Sequence, residues 1–280
     1  MPAALVLLVA VLGVVWSVWP RQQPAHWVPP AAAPVAGPAS AIPTTSAPPA
    51  KLTVRPAPKS LPVISYTHVP DGFPADQASS SPTPLTEGLR PDDRVALYDA
   101  PGGRPKAFLP AVISGVDVTV PVVGRDRGWT AVLLPSVDRT IGWVAPGKGF
   151  GTAKLRDQLV LKRADHQLTW LRDGVPKQSW TVATGAGKTP TPLGRTFVLG
   201  RTATDGPEYA GLDALVLGAI PEQKEALVPG LRDGHTAIHS WYHSSVFGHS
   251  VSNGCIRIPP TAQRLLLAEI PSGTPVSILA

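Results

Sequence analysis

Hydrophobic and polar positions fall into three regimes along the chain. Residues Ala3 to Trp19, AALVLLVAVLGVVWSVW, carry no charge. From Pro20 to Pro84 no regular apolar rhythm holds. Beyond that, short β-type runs take over: RVALYDA, KAFLPAVI, DVTVPVVG, GWTAVLLP and TIGWVAP, separated by Gly, Pro and Asp. Gly128-Trp129 and Gly142-Trp143 repeat one pair and predict a hairpin between them, with its turn near Pro135–Asp138. A second β-rich stretch begins at Gln158. LVLKR and QLTWL alternate, Asp173-Gly174 marks a turn, and KQSWTVATG resumes a strand. RTFVLG (195–200) and TAIH (236–239) continue the pattern. One helix is predicted, opened by Pro259-Pro260, formed by TAQRLLLAEI and closed by Pro271. TPVSIL (274–279) follows as a strand. The expected class is mainly β, largely antiparallel, with little helix.

The first regime is longer than the 7–15 apolar residues typical of a secretion signal and approaches the ~20 that span a bilayer. Trp16 and Trp19 stand where interfacial aromatic anchors lie. A membrane anchor over 1–19 is expected, with a cleaved, secreted form as the alternative. Proline supplies 34 of the 280 residues, and 16 fall between Pro20 and Pro84, which rules out a helical bundle. Residues 20–90 are expected as an extended spacer, reaching on the order of 150–200 Å in polyproline-II geometry. Within it, LPVISYTHV (61–69) is apolar enough to pack. Two folded regions follow, 91–149 and 150–280. The net charge of +6 divides evenly: 12 basic against 9 acidic residues in 1–149, and 13 against 10 in 150–280. No basic run exceeds two residues, so a nucleic-acid footprint is missing, and the mild positive charge suits anionic surfaces such as cell walls or membranes. A single cysteine excludes a disulfide framework and any multi-cysteine metal site.

That cysteine lies in Ser252-Asn253-Gly254-Cys255-Ile256-Arg257-Ile258. Ser-Asn-Gly is turn chemistry. A turn there exposes the thiol and aims successive backbone N–H groups at one point, as stabilising an oxyanion requires. Arg257 adds positive potential that favours thiolate and could pair with a substrate carboxylate. A cysteine nucleophile needs a base, normally histidine. His235, His239, His243 and His249 lie upstream, and His239 ends the apolar run TAIH, where a rigid strand would hold it.

Taken together, T-P-T-P-L-G (189–194), I-H-S (238–240), S-N-G-C-I-R-I (252–258) and G-T-P-V-S-I (273–278) resemble the L,D-transpeptidase (YkuD-type) catalytic domain of bacterial cell-wall enzymes, from about Asp157 to Ala280. The resemblance implies a β-sandwich-like fold whose cysteine attacks the stem peptide of peptidoglycan, with no metal or cofactor. Cys255 matches the nucleophile and His239 the histidine that pairs with it. Ser240 follows, with a backbone carbonyl to orient the imidazole. Gly254 and Cys255 would supply oxyanion N–H groups, with Asn253 a candidate third. Arg257 and Ser252 match the motif arginine and serine. Asn253 stands where many members carry a second histidine. Residues 92–147, with their Gly-Trp pairs, resemble a bacterial SH3-like small β-barrel, in which Trp129 and Trp143 could line a groove that contacts the wall.

The implied activity is release of D-alanine from a tetrapeptide stem and formation of a 3→3 cross-link, in the cell envelope outside the cytoplasm. Three rivals remain. An L,D-carboxypeptidase would use the same residues with water as acceptor. A non-catalytic wall-binding protein would need only anchor, spacer and SH3-like module. A zinc peptidase would use His235, His239 and His243, but four-residue spacing on a strand spreads ligands over about 13 Å.

Overall fold

The computed structural model describes residues 52–280, except positions 138, 228 and 233. The expected anchor, 1–19, and the first part of the spacer lie outside the described residues. Among the described residues no helix is long and apolar enough to cross a membrane.

Nine strands make the first β unit: β1 (Glu87–Pro91), β2 (Arg94–Tyr98), β3 (Pro105–Pro110), β4 (Val112–Ile113), β5 (Val116–Asp117), β6 (Val120–Asp126), β7 (Trp129–Leu133), β8 (Ile141–Val144) and β9 (Phe150–Lys154). Seven of them form one sheet in the order β3-β2-β8-β7-β6-β1-β9, and β4 and β5 pair with each other. The expected hairpin is β7–β8, with Leu133 opposite Ile141. Trp129 is wholly buried, its ring edge-on to Tyr98 at 4.9 Å. Only Trp143 of the two tryptophans is partly exposed, so Trp129 is core, not groove. β9 pairs along its whole length with β1. The sheet therefore runs to Lys154, past the boundary expected at 149/150.

The second unit comprises β10 (Asp157–Lys162), β11 (Gln167–Arg172), β12 (Val175–Thr181), β13 (Thr184–Gly185), β14 (Gly194–Thr202), β15 (Ala214–Leu217), β16 (Ala237–Ser240), β17 (Ser250–Ser252), β18 (Ile256–Ile258) and β19 (Pro275–Leu279). Eight strands join in the order β12-β11-β10-β19-β14-β15-β16-β18, and β13 pairs with β17. The pairing is mostly antiparallel, but β10–β19, β16–β18 and β13–β17 run parallel. The helix α1 spans Pro260–Glu269. Proline is tolerated at its first turn because that N–H has no partner in the helix anyway. It stops at Ile270, which the following Pro271 holds in extended backbone. Gln263, fully buried, donates from Nε2 to the carbonyls of Asp213 (2.7 Å) and Ile238 (3.3 Å), tying α1 to β16.

β14 is a wall between two cores. Phe197 and Leu199 join the apolar cluster of the first unit, with Leu89, Leu97, Leu109 and Val132. Val198, between them, joins the second cluster, with Leu159, Leu215, Ile238 and Ile256. Successive side chains on a strand point to opposite faces, so one strand serves both. The two units thus share buried apolar surface.

The spacer expectation is corrected over its described part. Residues 52–86 have almost no regular pairing, yet they are packed down. Ile64, Phe73 and Leu85 are buried in the first core. Ile64 N–H donates to the Phe108 carbonyl at 3.0 Å, and Phe108 N–H to the Pro62 carbonyl at 2.8 Å. Tyr66 hydroxyl donates to the Leu199 carbonyl at 3.1 Å. Asp76 receives two bonds from Arg195 of β14, Nη2 to Oδ1 at 2.6 Å and Nε to Oδ2 at 2.8 Å, with both side chains buried. Proline-rich composition fixes an extended backbone, but scattered apolar residues and one carboxylate give that backbone a docking site. Removing one partner of a buried ion pair strands the other charge and costs about 3–5 kcal/mol. Asp76→Ala is therefore expected to lower the free energy of unfolding, read from a denaturation curve, by an amount in that range. A loss of under about 0.5 kcal/mol would show that the Asp76–Arg195 pair does not hold residues 52–86 to β14.

Candidate active site

The site is built on β16 and β18, at the end of the eight-stranded sheet. All four residues of β16 are buried. Parallel pairing sets Ile238 beside Ile256, His239 beside Arg257 and Ser240 beside Ile258. Ile238, Ile256 and Ile258 point into the core. His239 and Arg257, directly opposite in register, share the other face. Burial alternates from Ser252 to Ile258: Ser252, Gly254, Ile256 and Ile258 are inward, whereas Asn253, Cys255 and Arg257 are exposed or half-exposed. Strand periodicity thus brings Cys255, Arg257 and His239 to one surface.

The cysteine turn is held by its own serine. Ser252 Oγ accepts the Gly254 N–H at 3.2 Å and donates to the Cys255 carbonyl at 2.6 Å. Gly254 has φ +109°, and a Cβ there would lie 2.6 Å from Pro221 Cγ, so only glycine fits. The Gly254 N–H, expected as an oxyanion donor, is already engaged. The N–H groups of Asn253 and Cys255 make no hydrogen bond among the described residues and are the ones left to face a substrate.

His239 is oriented by hydrogen bonding. Its Nδ1 lies 2.9 Å from the Ser240 carbonyl, which can only accept, so Nδ1 carries the proton and Nε2 keeps a lone pair. The Ser240 hydroxyl in turn donates to the Tyr209 carbonyl. Burial pushes the His239 pKa down to about 4; the Ser240 bond opposes this, and the Arg257 charge adds to it. Burial also pushes the Cys255 thiol up, against a hydrogen bond to the Ala237 backbone and the Arg257 charge. Around neutral pH the two groups are therefore a thiol and a neutral imidazole.

Aromatic rings surround this pair. Tyr209 lies 5.0 Å from the His239 ring and Trp241 5.9 Å, with Tyr209 and Trp241 edge-on at 5.8 Å. The Arg257 guanidinium stacks over Trp241 at 3.7 Å. Its Nε is buried without a partner, and burial lowers its pKa. A carboxylate or carbonyl oxygen arriving at this face would meet a half-buried guanidinium. Sequence reasoning missed Tyr209 and Trp241. Trp241 follows His239 by two and so continues its face; Tyr209 sits in a turn, GPEY, with no periodic signal.

The remaining histidines lie apart in role. His235 Nδ1 lies 2.9 Å from the Leu217 carbonyl, and its Nε2 is buried without a partner. His243 is exposed and stacks on Tyr242 at 3.9 Å; His249 is exposed.

A mainly β unit thus presents a thiol, an oriented neutral imidazole and unengaged backbone N–H groups. Residues 156–278, under half of the chain, match the model of the L,D-transpeptidase catalytic domain family, YkuD. No curated protein matches the chain. Similar solved structures include an L,D-transpeptidase from Mycobacterium smegmatis (17% identity, 57% of this chain and 82% of that one, TM-score 0.38). Another is L,D-transpeptidase 3 from Mycobacterium tuberculosis (15%, 51% and 76%, TM-score 0.36). A third is the catalytic domain of the E. faecium L,D-transpeptidase (20%, 45% and 98%, TM-score 0.32).

Proposed function

We propose that this chain is a peptidoglycan L,D-transpeptidase that works through an acyl-enzyme on Cys255. The observation that carries this reading is the β16–β18 register, which sets His239 beside Arg257 on the face that Cys255 also uses. His239 Nε2 takes the thiol proton as Sγ attacks the carbonyl carbon of the third stem residue, the L-centre of a diamino acid. The carbonyl π pair moves onto oxygen, where the Cys255 and Asn253 N–H groups stabilise it. The oxyanion collapses, the C–N bond breaks, and the leaving nitrogen takes the proton from the imidazolium. D-alanine departs and a thioester remains. The side-chain amine of a neighbouring stem then adds to the thioester, His239 accepts its proton, and the thiolate leaves and is reprotonated. The product is a 3→3 cross-link. Every bond change is carried by thiol, imidazole and backbone amides, and the kinetics are ping-pong.

The same residues would serve an L,D-carboxypeptidase if water replaced the amine. In this reading the first β unit is an SH3-like module that contacts the wall, residues 1–19 anchor the chain in the membrane, and the enzyme works outside the cytoplasm. Incubation with a disaccharide-tetrapeptide, followed by mass analysis of products, tests the reaction. The expected products are free D-alanine and a 3→3 dimer. Tripeptide without dimer would assign the carboxypeptidase, and no D-alanine release would contradict both.

A further inference from the structure

Behind the cysteine turn lies the segment Thr189-Pro190-Thr191. Thr191 is fully buried. Its Oγ1 accepts the Gly185 N–H at 2.9 Å and donates to the Gly254 carbonyl at 2.9 Å. Thr189 is buried too, and its Oγ1 donates to the Ser252 carbonyl at 3.2 Å. The segment is seated hard against the backbone. A Cβ at Gly185 would lie 2.1 Å from the Thr189 carbonyl oxygen and 2.5 Å from the Thr191 nitrogen, so no other residue lets the chains approach this closely.

We propose that Thr191 is a positioning residue for acyl transfer, whose hydroxyl pins the Gly254 carbonyl inward and so aims the Cys255 N–H outward at the substrate oxygen. This rests on the acyl-enzyme reading above. In a trans peptide the C=O and N–H point in opposite directions, so fixing one fixes the other. The Gly254–Cys255 peptide needs such a tether, because glycine leaves its rotation almost unopposed by sterics. The Ser252 carbonyl also accepts the Ala186 N–H at 2.8 Å. The Gly254 carbonyl has Thr191 alone among the described residues. Thr191 therefore matters more than Thr189.

The test compares two reactions of the same thiol in the full chain. Acylation by a carbapenem builds an oxyanion; alkylation by iodoacetamide displaces iodide and builds none. Thr191→Val keeps the shape and removes the hydroxyl. It is expected to lower the saturating acylation rate by about 10–10²-fold, between a misaimed and a missing oxyanion donor. The half-saturating concentration and the alkylation rate should stay within about threefold of wild type. Thr191→Ser, which restores the hydroxyl, should acylate at nearly the wild-type rate, and Thr189→Val should lose less than Thr191→Val. Thr191→Ala takes the place of Thr191→Val if the latter does not fold. The proposal is overturned if the hydroxyl-free variant acylates like wild type, if alkylation falls in parallel with acylation, or if Thr191→Ser is equally slow. A wild type that is alkylated at Cys255 yet never acylated would overturn the acyl-enzyme reading itself, separately from the Thr191 comparison.

Discussion

His239→Ala is expected to slow acylation by a carbapenem about 10²–10⁴-fold, the usual weight of a general base. The thiol is held in its protonated form by burial, so attack requires a group to remove the proton as the C–S bond forms. Nε2 of His239 is suited to this, because Nδ1 is committed to the Ser240 carbonyl. His243→Ala and His249→Ala, both at exposed residues, should change the rate by less than about threefold. A larger loss from either of these in a folded protein would show the base to be misassigned.

The same assignment fixes a pH profile. His239 titrates near 4 in the folded protein and near 6.5 when unfolded. Acylation should hold level through pH 6.5 and fall only as His239 gains its proton toward pH 4; a fall centred near 6.5 would place the base in water. Between pH 6.5 and 4 the unfolded chain binds the proton and the folded one does not. Stability is thus full above 6.5 and lost as pH drops through that window, by about 3 kcal/mol for this group. His235, also held down by burial, adds to the loss.

Local chemistry was legible in the sequence where it acts over a few residues. Two prolines and a third bracket α1, and Ser-Asn-Gly reads as a turn because each residue favours one. The β7–β8 hairpin followed from the Gly-Trp pair repeated on either side of a Pro-Ser turn. What the sequence hid is long-range. RTFVLG reads as one apolar run, and its run of buried residues comes from facing two cores at once, which periodicity alone cannot distinguish from a strand inside one core. Apart from the apolar stretch 61–69, which packs through Ile64, residues 52–86 read as a spacer because proline outweighs Phe73 and Leu85 in composition, while the Asp76–Arg195 pair joins residues 119 apart. That the Gly254 N–H is engaged by Ser252 Oγ was not legible either, because Ser-Asn-Gly permits that contact but does not specify it. The Thr-Pro-Thr segment stood out only by resemblance; its hydroxyls acquire a role when β13 and β17 bring it under the turn.

Because the two β units share the wall formed by β14, a chain beginning at Gly151 would expose Phe197 and Leu199 and cut β9 from β1. Site variants are therefore best compared in the chain that retains both units.

The central claim is that Cys255 carries the acyl group. Intact-mass analysis after incubation with a carbapenem or a tetrapeptide stem, wild type beside Cys255→Ala, tests it directly. Wild type should gain the mass of one acyl group and Cys255→Ala should gain none, with the adduct mapped to the peptide containing Ser252–Ile258. An adduct of equal yield on Cys255→Ala, or wild-type D-alanine release by that variant, would contradict the claim.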